Sequence, residues 1–126
     1  MKTIKKTVTL PQESYNRMHL SIINSLLPVQ LTPREIEVLA AFMDYHCYEE
    51  EKNLFSTDNR RDVRARLGLS NGGLGNYIKY FFNKGFIYKA ESGYYKIQKF
   101  LIPEQNQQEY AFTLKVKEEI EYGEVE

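Results

Sequence analysis

The sequence lacks the cysteine pairs of disulfide-rich proteins and the long apolar runs of membrane-spanning proteins. Its one cysteine, Cys47, excludes an intrachain disulfide framework. No apolar run approaches the roughly 20 residues that a membrane-spanning helix requires. The basic start, residues 1–6, lacks the apolar continuation of a signal peptide. We therefore expect a cytoplasmic protein with no membrane partner.

Side chains for enzyme chemistry are also scarce. The good nitrogen and sulfur ligands are His19, His46 and Cys47, and Asp44 beside the last two does not complete a zinc site. No serine or cysteine lies in a recognisable nucleophile motif. The glycine-rich residues 72–75 lack the Lys-Ser/Thr of a phosphate-binding loop and do not follow a predicted strand. We expect no enzymatic activity, no metal site and no cofactor.

The charges balance overall but are unevenly distributed. The chain has 126 residues, 42% of them apolar, which is ordinary for a single soluble domain. Its 17 basic and 17 acidic residues give a formal net charge of zero. Residues 58–99 hold nine basic and three acidic residues, whereas residues 118–126 hold five glutamates and no base. This segregation predicts a basic face on one part of the molecule, or charges that are complementary within an assembly.

Residues 56–87 have the pattern of two helices joined by a tight turn. Capping side chains at 56–58 precede the first helix, and Gly68 supplies the left-handed residue that ends it. Ser70 caps the second helix and Gly85 ends it. A tight turn between two crossing helices is the helix-turn-helix arrangement. Apolar residues at helical spacing predict the buried faces: Val63 and Leu67 in the first helix, and Leu74, Ile78, Phe81 and Phe82 in the second.

The flanking segments predict one more helix and a hairpin. Thr32, Pro33 and Glu35 form a capping-box helix start, and an apolar stripe continues to about residue 46. After the second helix of the motif, residues 86–89 and 94–97 predict two strands of a β-hairpin around Gly93, where a positive φ is needed. The stripe of the first helix consists of Ile36, Leu39, Ala40 and Met43.

This order of elements resembles the winged helix-turn-helix family of small DNA-binding proteins over roughly residues 33–103. The resemblance implies a mainly α fold with a small β-wing (α+β), in which a three-helix core is followed by the hairpin. The small size and the abundance of lysine, asparagine and tyrosine are in the style of a phage or mobile-element product, which would act in the host cytoplasm or in a virion. The residues that carry the resemblance are Val63, Leu67, Gly68, Leu69, Ser70, Leu74, Ile78, Lys84, Gly85, Phe86 and Ile87.

Two extensions flank the predicted domain of residues 31–103. Residues 1–30 combine a β-branched strand at 2–10 with a helix at 12–27. Residues 104–126 combine an alternating strand at 110–116 with the acidic tail. The strands would pair with each other, extend the wing, or add to the sheet edge of a neighbouring subunit, and the last would build a homo-oligomer or a larger assembly. The predicted buried stripe of the N-terminal helix is Tyr15, Met18, Ile22 and Leu26.

The resemblance also implies how duplex DNA would bind. The second helix of the motif would enter the major groove with base-facing residues Asn71, Asn76, Lys79 and Tyr80. Contacts to phosphates would come from Arg60, Arg61, Arg64, Ser70, Lys84, Lys89 and Lys96. The glycines at 72, 73 and 75 remove side chains that read bases, so we expect a transcriptional or replication regulator of modest sequence specificity.

A second hypothesis is a non-enzymatic structural or interaction protein, such as a phage virion or assembly component, that uses the same scaffold for protein–protein contacts. The zero net charge, the ten tyrosines and the strand-like termini favour it, since tyrosine supplies amphipathic contact area at interfaces. Salt-dependent binding to duplex DNA distinguishes the two hypotheses.

Overall fold

The fold is mainly helical with one small antiparallel sheet. A computed structural model describes residues 2–45, 47–49 and 52–118. The predicted helices after residue 31 and the predicted hairpin are confirmed. The helix that begins at Pro33 ends at Met43, however, rather than near residue 46. His46 and the acidic residues 50, 51 and 119–126 lie outside the described residues. The elements are α1 (Gln12–Ile23), α2 (Pro33–Met43), α3 (Thr57–Leu67), α4 (Asn71–Asn83), β1 (Ile87–Lys89) and β2 (Tyr95–Ile97), with short 3₁₀ turns at Asn24–Leu26 and Lys99–Leu101.

The central helix of the core is α2, and its start has the predicted cap. The Thr32 hydroxyl oxygen accepts a hydrogen bond from the backbone N–H of Glu35 at 3.2 Å. The Glu35 carboxylate accepts one from the backbone N–H of Thr32 at 2.8 Å, which completes a capping box. Residues 38–43 are all buried, because α1 packs on one side of this helix and α3 on another. The predicted stripe is therefore correct but too narrow.

The prediction for α1 is wrong about which face is buried. Met18 and Leu26 of the predicted stripe are exposed, at 45% and 69% of their surface. The buried residues are instead Asn16, His19 and Leu20. A polar pair replaces part of an apolar stripe here because both side chains find polar partners on other segments.

One of those partners, Asp44, links three helices at the end of α2. Its Oδ1 atom accepts a hydrogen bond from the Asn16 amide of α1 at 2.8 Å. Its Oδ2 atom lies 3.4 Å from a guanidinium nitrogen of Arg66 on α3. Burial raises the pKa of Asp44, and the Asn16 and Arg66 contacts oppose that rise by stabilising the carboxylate. The contacts orient α1 and α3 against α2.

The helix pair α3–α4 and the hairpin cover the rest of the core. Val63, Ile78 and Phe81 are buried, as predicted. Phe82 is 46% exposed, so its place in the predicted buried stripe is wrong. Its ring instead packs nearly perpendicular to the Tyr95 ring on β2, with centroids 5.7 Å apart. This contact joins α4 to the hairpin at the surface.

The hairpin has a two-stranded antiparallel register in which Ile87 lies opposite Ile97 and Lys89 opposite Tyr95. Both isoleucines are buried, so one face of the sheet closes the core. Gly93 in the connecting turn has a φ of +89°. This left-handed conformation is the one predicted for the turn, and it favours glycine.

The predicted terminal strands do not form within the chain. Residues 2–11 and 102–118 have no strand, so they neither pair with each other nor extend the sheet. The C-terminal segment is instead held on α1 by side chains. The hydroxyl of Tyr15 donates to the backbone carbonyl of Glu104 at 2.7 Å. Tyr110 contacts His19 further along the same helix.

Among the helices of the described residues, none is both long enough and apolar enough to cross a membrane.

Candidate nucleic-acid interface

The turn between α3 and α4 fixes where the second helix begins relative to the end of the first. Gly68 ends α3 in the left-handed conformation with a φ of +66°. The next residue, Leu69, donates its backbone N–H to the carbonyl of Arg64 at 3.0 Å. Ser70 then caps α4, because its hydroxyl oxygen accepts the backbone N–H of Gly73 at 2.9 Å. Only three residues separate the helices, so the start of α4 is set by the end of α3.

The expected base-facing residues do not all lie on one surface of α4. Asn76 and Lys79 are exposed and lie on the side away from the buried Leu74 and Ile78. Tyr80 lies at the boundary of this face. It is half-buried, and its ring meets that of Phe81 with centroids 6.2 Å apart.

A further residue extends the exposed polar face. Asn83, the last residue of α4, is exposed and lies seven positions after Asn76. A separation of seven residues is two helical turns, so the two amides share a face about 10 Å apart along the axis. The sequence prediction missed Asn83, although its spacing to Asn76 and Lys79 was the available signal.

Asn71 has a contact that sequence reasoning did not anticipate. Its side-chain oxygen accepts a hydrogen bond from a guanidinium nitrogen of Arg64 at 2.6 Å. The bond joins α3 to the first residue of α4. The amide nitrogen of Asn71 takes no part in this bond.

The arginines of α3 differ in how exposed they are. Arg60 is half-buried, and its Nε atom donates to the backbone carbonyl of Phe55 at 2.8 Å. Arg61 is exposed and lies 3.5 Å from the carboxylate of Asp58, which is exposed as well. A surface pair at this distance holds the side chain only weakly. Arg61 is therefore the more available of the two cations.

The lysines expected to contact phosphates are spread over α4 and the hairpin. Lys84 is exposed, with its Nζ atom 5.9 Å from the centroid of the Tyr80 ring. Lys89 is exposed and Lys96 is half-buried. In the observed register Lys96 pairs with Tyr88, so Lys89 and Lys96 point to opposite faces of the hairpin. The structure does not bring these two lysines together.

The glycines at the start of α4 differ in their surroundings. A Cβ atom built on Gly72 or Gly75 would meet nothing within 4 Å, so neither glycine is required by packing. A Cβ atom on Gly73 would lie 3.0 Å from the capping oxygen of Ser70. The exposed side of α4 thus has bare backbone beside Asn76 and Lys79.

The described residues contain no group of three His, Cys, Asp or Glu side chains that could hold a metal ion. A surface cleft of about 490 Å³ lies between the start of α1, the end of α2 and α3, and its charged lining residues are Glu13, Asp44, Asp62 and Arg66. It is open to solvent, and none of its lining residues belongs to α4 or the hairpin. None of the residues expected to contact DNA lines this cleft. Comparison of the chain with models of protein families, with curated proteins and with solved structures gave no match in any of the three.

Proposed function

We propose that the chain is a winged helix-turn-helix protein that binds duplex DNA and acts as a transcriptional or replication regulator, with α4 in the major groove. The observation that carries this proposal is the solvent-facing stripe of Asn76, Lys79 and Asn83. No acidic residue interrupts it, because Asn71–Asn83 contains none. Asparagine pairs with the adenine edge and lysine with the guanine edge in the major groove. The exposed face of α4 presents these groups over two helical turns, which suits a helix that lies in the major groove.

The basic side chains around the stripe support the same proposal. Arg61, Lys84 and Lys89 are exposed on α3, after α4 and on the hairpin. Lys79 and Lys89 make no ion pair with another described residue, so Lys79 is available to base edges and Lys89 to phosphates. Arg60 and Arg64 would first have to give up their contacts within the chain. We therefore assign the main phosphate contacts to the exposed cations.

The open glycines account for modest sequence specificity. Gly72 and Gly75 leave room for the backbone of α4 to approach the DNA closely. They also reduce the number of side chains that reach base edges. Affinity would then come mostly from phosphates, and a few contacts from the stripe would supply the sequence preference.

The test is the affinity for random-sequence duplex DNA, measured by fluorescence anisotropy over a series of salt concentrations. Lys79→Ala and Arg61→Ala should each weaken binding, and Arg61→Ala should also lower the salt slope by about one unit, since it removes about one phosphate contact. Lys52→Ala is the matched control, because Lys52 is an exposed lysine outside α3, α4 and the hairpin. Thermal melting should be nearly unchanged in all three variants.

Two results would contradict the proposal. One is the absence of binding at about 50 mM salt, where electrostatic association with DNA is strong. The other is an equal loss of binding in Lys52→Ala and Lys79→Ala, which would mean that α4 has no special part.

A second candidate function is a non-enzymatic assembly protein with the same scaffold. It is favoured by the exposed apolar side chains near the C-terminus, Phe112, Leu114 and Val116, because exposed apolar stretches mark protein–protein contacts. Undetectable binding to DNA together with a large assembly mass would favour this function over the first.

A further inference from the structure

The ring of Phe82 is the exposed end of a line of aromatic side chains that begins in the core. The buried Phe42 of α2 stacks on the buried Phe55, with ring centroids 4.4 Å apart. Phe55 packs nearly perpendicular to Tyr95 on β2 at 6.5 Å, and Tyr95 packs in the same way against Phe82 at 5.7 Å. Phe82 exposes 46% of its surface. The contact with Tyr95 therefore restrains an aromatic ring that solvent still reaches.

The position of Phe82 on α4 places it beside a lysine and a glycine. Gly75, Lys79 and Phe82 follow one another at intervals of four and three residues, so they share one side of the helix. Lys79 is exposed. A Cβ atom built on Gly75 would meet nothing within 4 Å. The side of α4 that leads to the ring is therefore bordered by a positive charge and by bare backbone.

The hairpin adds a second lysine to this region. In the strand register Lys89 lies directly opposite Tyr95, and side chains that lie opposite each other in an antiparallel pair share a face of the sheet. Tyr95 is also the residue that packs against Phe82. Lys89 is exposed and forms no ion pair with another described residue. We define the Phe82 surface as Gly75, Lys79, Phe82, Lys89 and Tyr95.

The charge around the ring favours an anionic partner. Residues 71–101, which comprise α4, the hairpin and the 3₁₀ turn after it, contain five lysines and one acidic residue, Glu91. An exposed aromatic ring between lysines matches a polymer that carries both anionic groups and flat apolar ones. A nucleic-acid strand has this chemistry, because each nucleotide has a phosphate and a base. An acidic peptide supplies the charge but has no base to cover the ring.

The exposed ring also distinguishes between the two forms of nucleic acid. In a duplex each base is covered by its neighbours in the stack, and a protein side chain reaches a base face after the stack is opened, at a cost of a few kcal/mol. In a single strand the base faces are open and stack on aromatic side chains with little regard to sequence. A ring that is already restrained by its own chain loses little freedom on binding. Phe82 therefore suits an unpaired base.

We propose that the Phe82 surface binds single-stranded nucleic acid, with one base stacked on the ring of Phe82 and a neighbouring phosphate at Lys89. Lys79 supplies positive charge on the other side of the ring. Stacking reads no base edge, so this binding tolerates any sequence. The inference does not depend on duplex binding by α4.

Tryptophan fluorescence tests the stacking directly. The chain contains no tryptophan, so Phe82→Trp introduces a single fluorophore at the ring position. An oligo-dT of about 15 nucleotides, long enough to cover a site of this kind, should bind this variant as tightly as the wild type and should quench its fluorescence. Phe112→Trp is the matched control, because Phe112 is an exposed phenylalanine outside the Phe82 surface. Its fluorescence should stay unchanged.

The affinity for the same oligo-dT, measured by fluorescence anisotropy, tests the contribution of the ring. Phe82→Ala should raise the Kd at least about fivefold, because it removes one base–aromatic stack. Phe82→Leu should raise it as well, since leucine keeps an apolar side chain but has no flat face. Phe112→Ala should leave the Kd unchanged. Thermal melting of each variant confirms that it folds.

The charge and the form of nucleic acid are tested separately. Lys89→Ala should lower the salt slope for oligo-dT by about 0.7, the value for one phosphate of a single strand, whereas Lys52→Ala at an exposed lysine elsewhere should not. The affinity of Phe82→Ala for duplex DNA should be nearly that of the wild type. A wild-type chain that binds oligo-dT but no duplex would contradict the role of α4 in the major groove and would support the Phe82 surface.

Four results would overturn the proposal. The first is the absence of oligo-dT binding at about 50 mM salt, where electrostatic association is strong. The second is an equal affinity of the wild type and Phe82→Ala for oligo-dT. The third is unchanged fluorescence of Phe82→Trp when it is saturated with oligo-dT. The fourth is equal quenching by a poly-glutamate peptide, which would assign the surface to acidic polypeptides.

Discussion

The Nδ1 atom of His19 lies 2.5 Å from the hydroxyl oxygen of Tyr110, which joins α1 to a segment 91 residues further along the chain. The two rings are tilted, with centroids 5.7 Å apart. Burial lowers the pKa of His19, and the backbone carbonyl of Leu101 partly offsets that change by favouring the charged ring. Burial also raises the pKa of Tyr110 to about 12. Both groups are thus neutral near pH 7, and their contact is a hydrogen bond rather than an ion pair.

Tyr110→Phe should destabilise the fold by about 1–3 kcal/mol. The substitution keeps the ring but leaves the Nδ1 atom of the buried His19 without its partner, and an unsatisfied buried polar atom costs about that much. Residues beyond 104 should also become more sensitive to limited proteolysis, because the contact near the end of the described segment is lost. Chemical denaturation measures the first effect and mass spectrometry of the digest the second.

The control for this prediction is Tyr94→Phe, because Tyr94 is an exposed tyrosine of the hairpin. It should change stability by no more than a few tenths of a kcal/mol. Equal stability of Tyr110→Phe and wild type would mean that the contact does not hold the C-terminal segment.

Stability should fall as the pH is lowered from 7.5 to 5.5. The folded-state pKa of His19 lies below its ordinary value of 6.5, so the unfolded chain takes up the proton first. Protonation of His19 therefore favours unfolding below about pH 6.5, and the contribution of the neutral ring to stability is fully present above that pH. His19→Gln should remove most of this slope, as measured by urea denaturation at each pH.

The carboxylate of Asp44 acts in the opposite direction. Burial raises its pKa, so its contribution to stability decreases as the pH rises through its titration. The pKa of Asp44 lies above its ordinary value of 3.8, so the loss of slope in His19→Gln, and not the wild-type slope alone, identifies the contribution of His19. A wild-type slope that persists in full in His19→Gln would assign it to another group.

Leu74→Ala should destabilise the protein by about 2–5 kcal/mol. Leu74 is 1% exposed and lies on the inner face of α4 beside Ile78, so its truncation loses burial and leaves a cavity. Leu26→Ala is the matched control, because the same substitution at that exposed leucine creates no cavity. A loss of only a few tenths of a kcal/mol at Leu74 would mean that α4 turns another face to the core.

The elements that sequence reasoning placed correctly are those with strong local signals. The capping box of Thr32 and Glu35 and the left-handed Gly68 mark where backbone hydrogen bonding must begin or end. Such signals depend on residues within one turn of each other, so they are visible in a sequence. The hairpin was predictable for the same reason, because Gly93 supplies the positive φ of its turn.

The errors arose where a distant residue decides the outcome. The inner face of α1 contains Asn16 and His19, and hydrogen bonds to Asp44 and Tyr110 offset part of the cost of burying them. The spacing of apolar residues alone therefore predicts the wrong buried face of α1. The terminal strands failed for a related reason, since period-two alternation indicates a strand but does not supply a partner.

The candidate contact surface was partly predictable. The outward positions of Asn76 and Lys79 follow from helical spacing against the buried Leu74. The bond between Arg64 and Asn71 was not predictable, because it depends on how α3 and α4 cross. Helical spacing also includes Asn83, which the prediction omitted.

Gly75→Ala should stabilise the protein by about 0.5–1 kcal/mol and weaken its binding to DNA. Glycine within a helix costs about that much relative to alanine, and a Cβ atom at this position meets nothing within 4 Å. If the bare backbone beside Asn76 lies close to DNA, the new methyl group would separate the two surfaces. Thermal melting and anisotropy with duplex DNA measure the two effects on the same sample.

Gly73→Ala is the contrasting variant on the same turn of α4. Its Cβ atom would lie 3.0 Å from the Ser70 oxygen that caps the helix, so the helix-propensity gain should be reduced by disturbance of the cap. A loss of stability in Gly75→Ala would contradict the exposed position of that residue. A gain of stability with unchanged DNA affinity would mean that DNA does not approach α4 at Gly75, and the modest specificity would then need another cause.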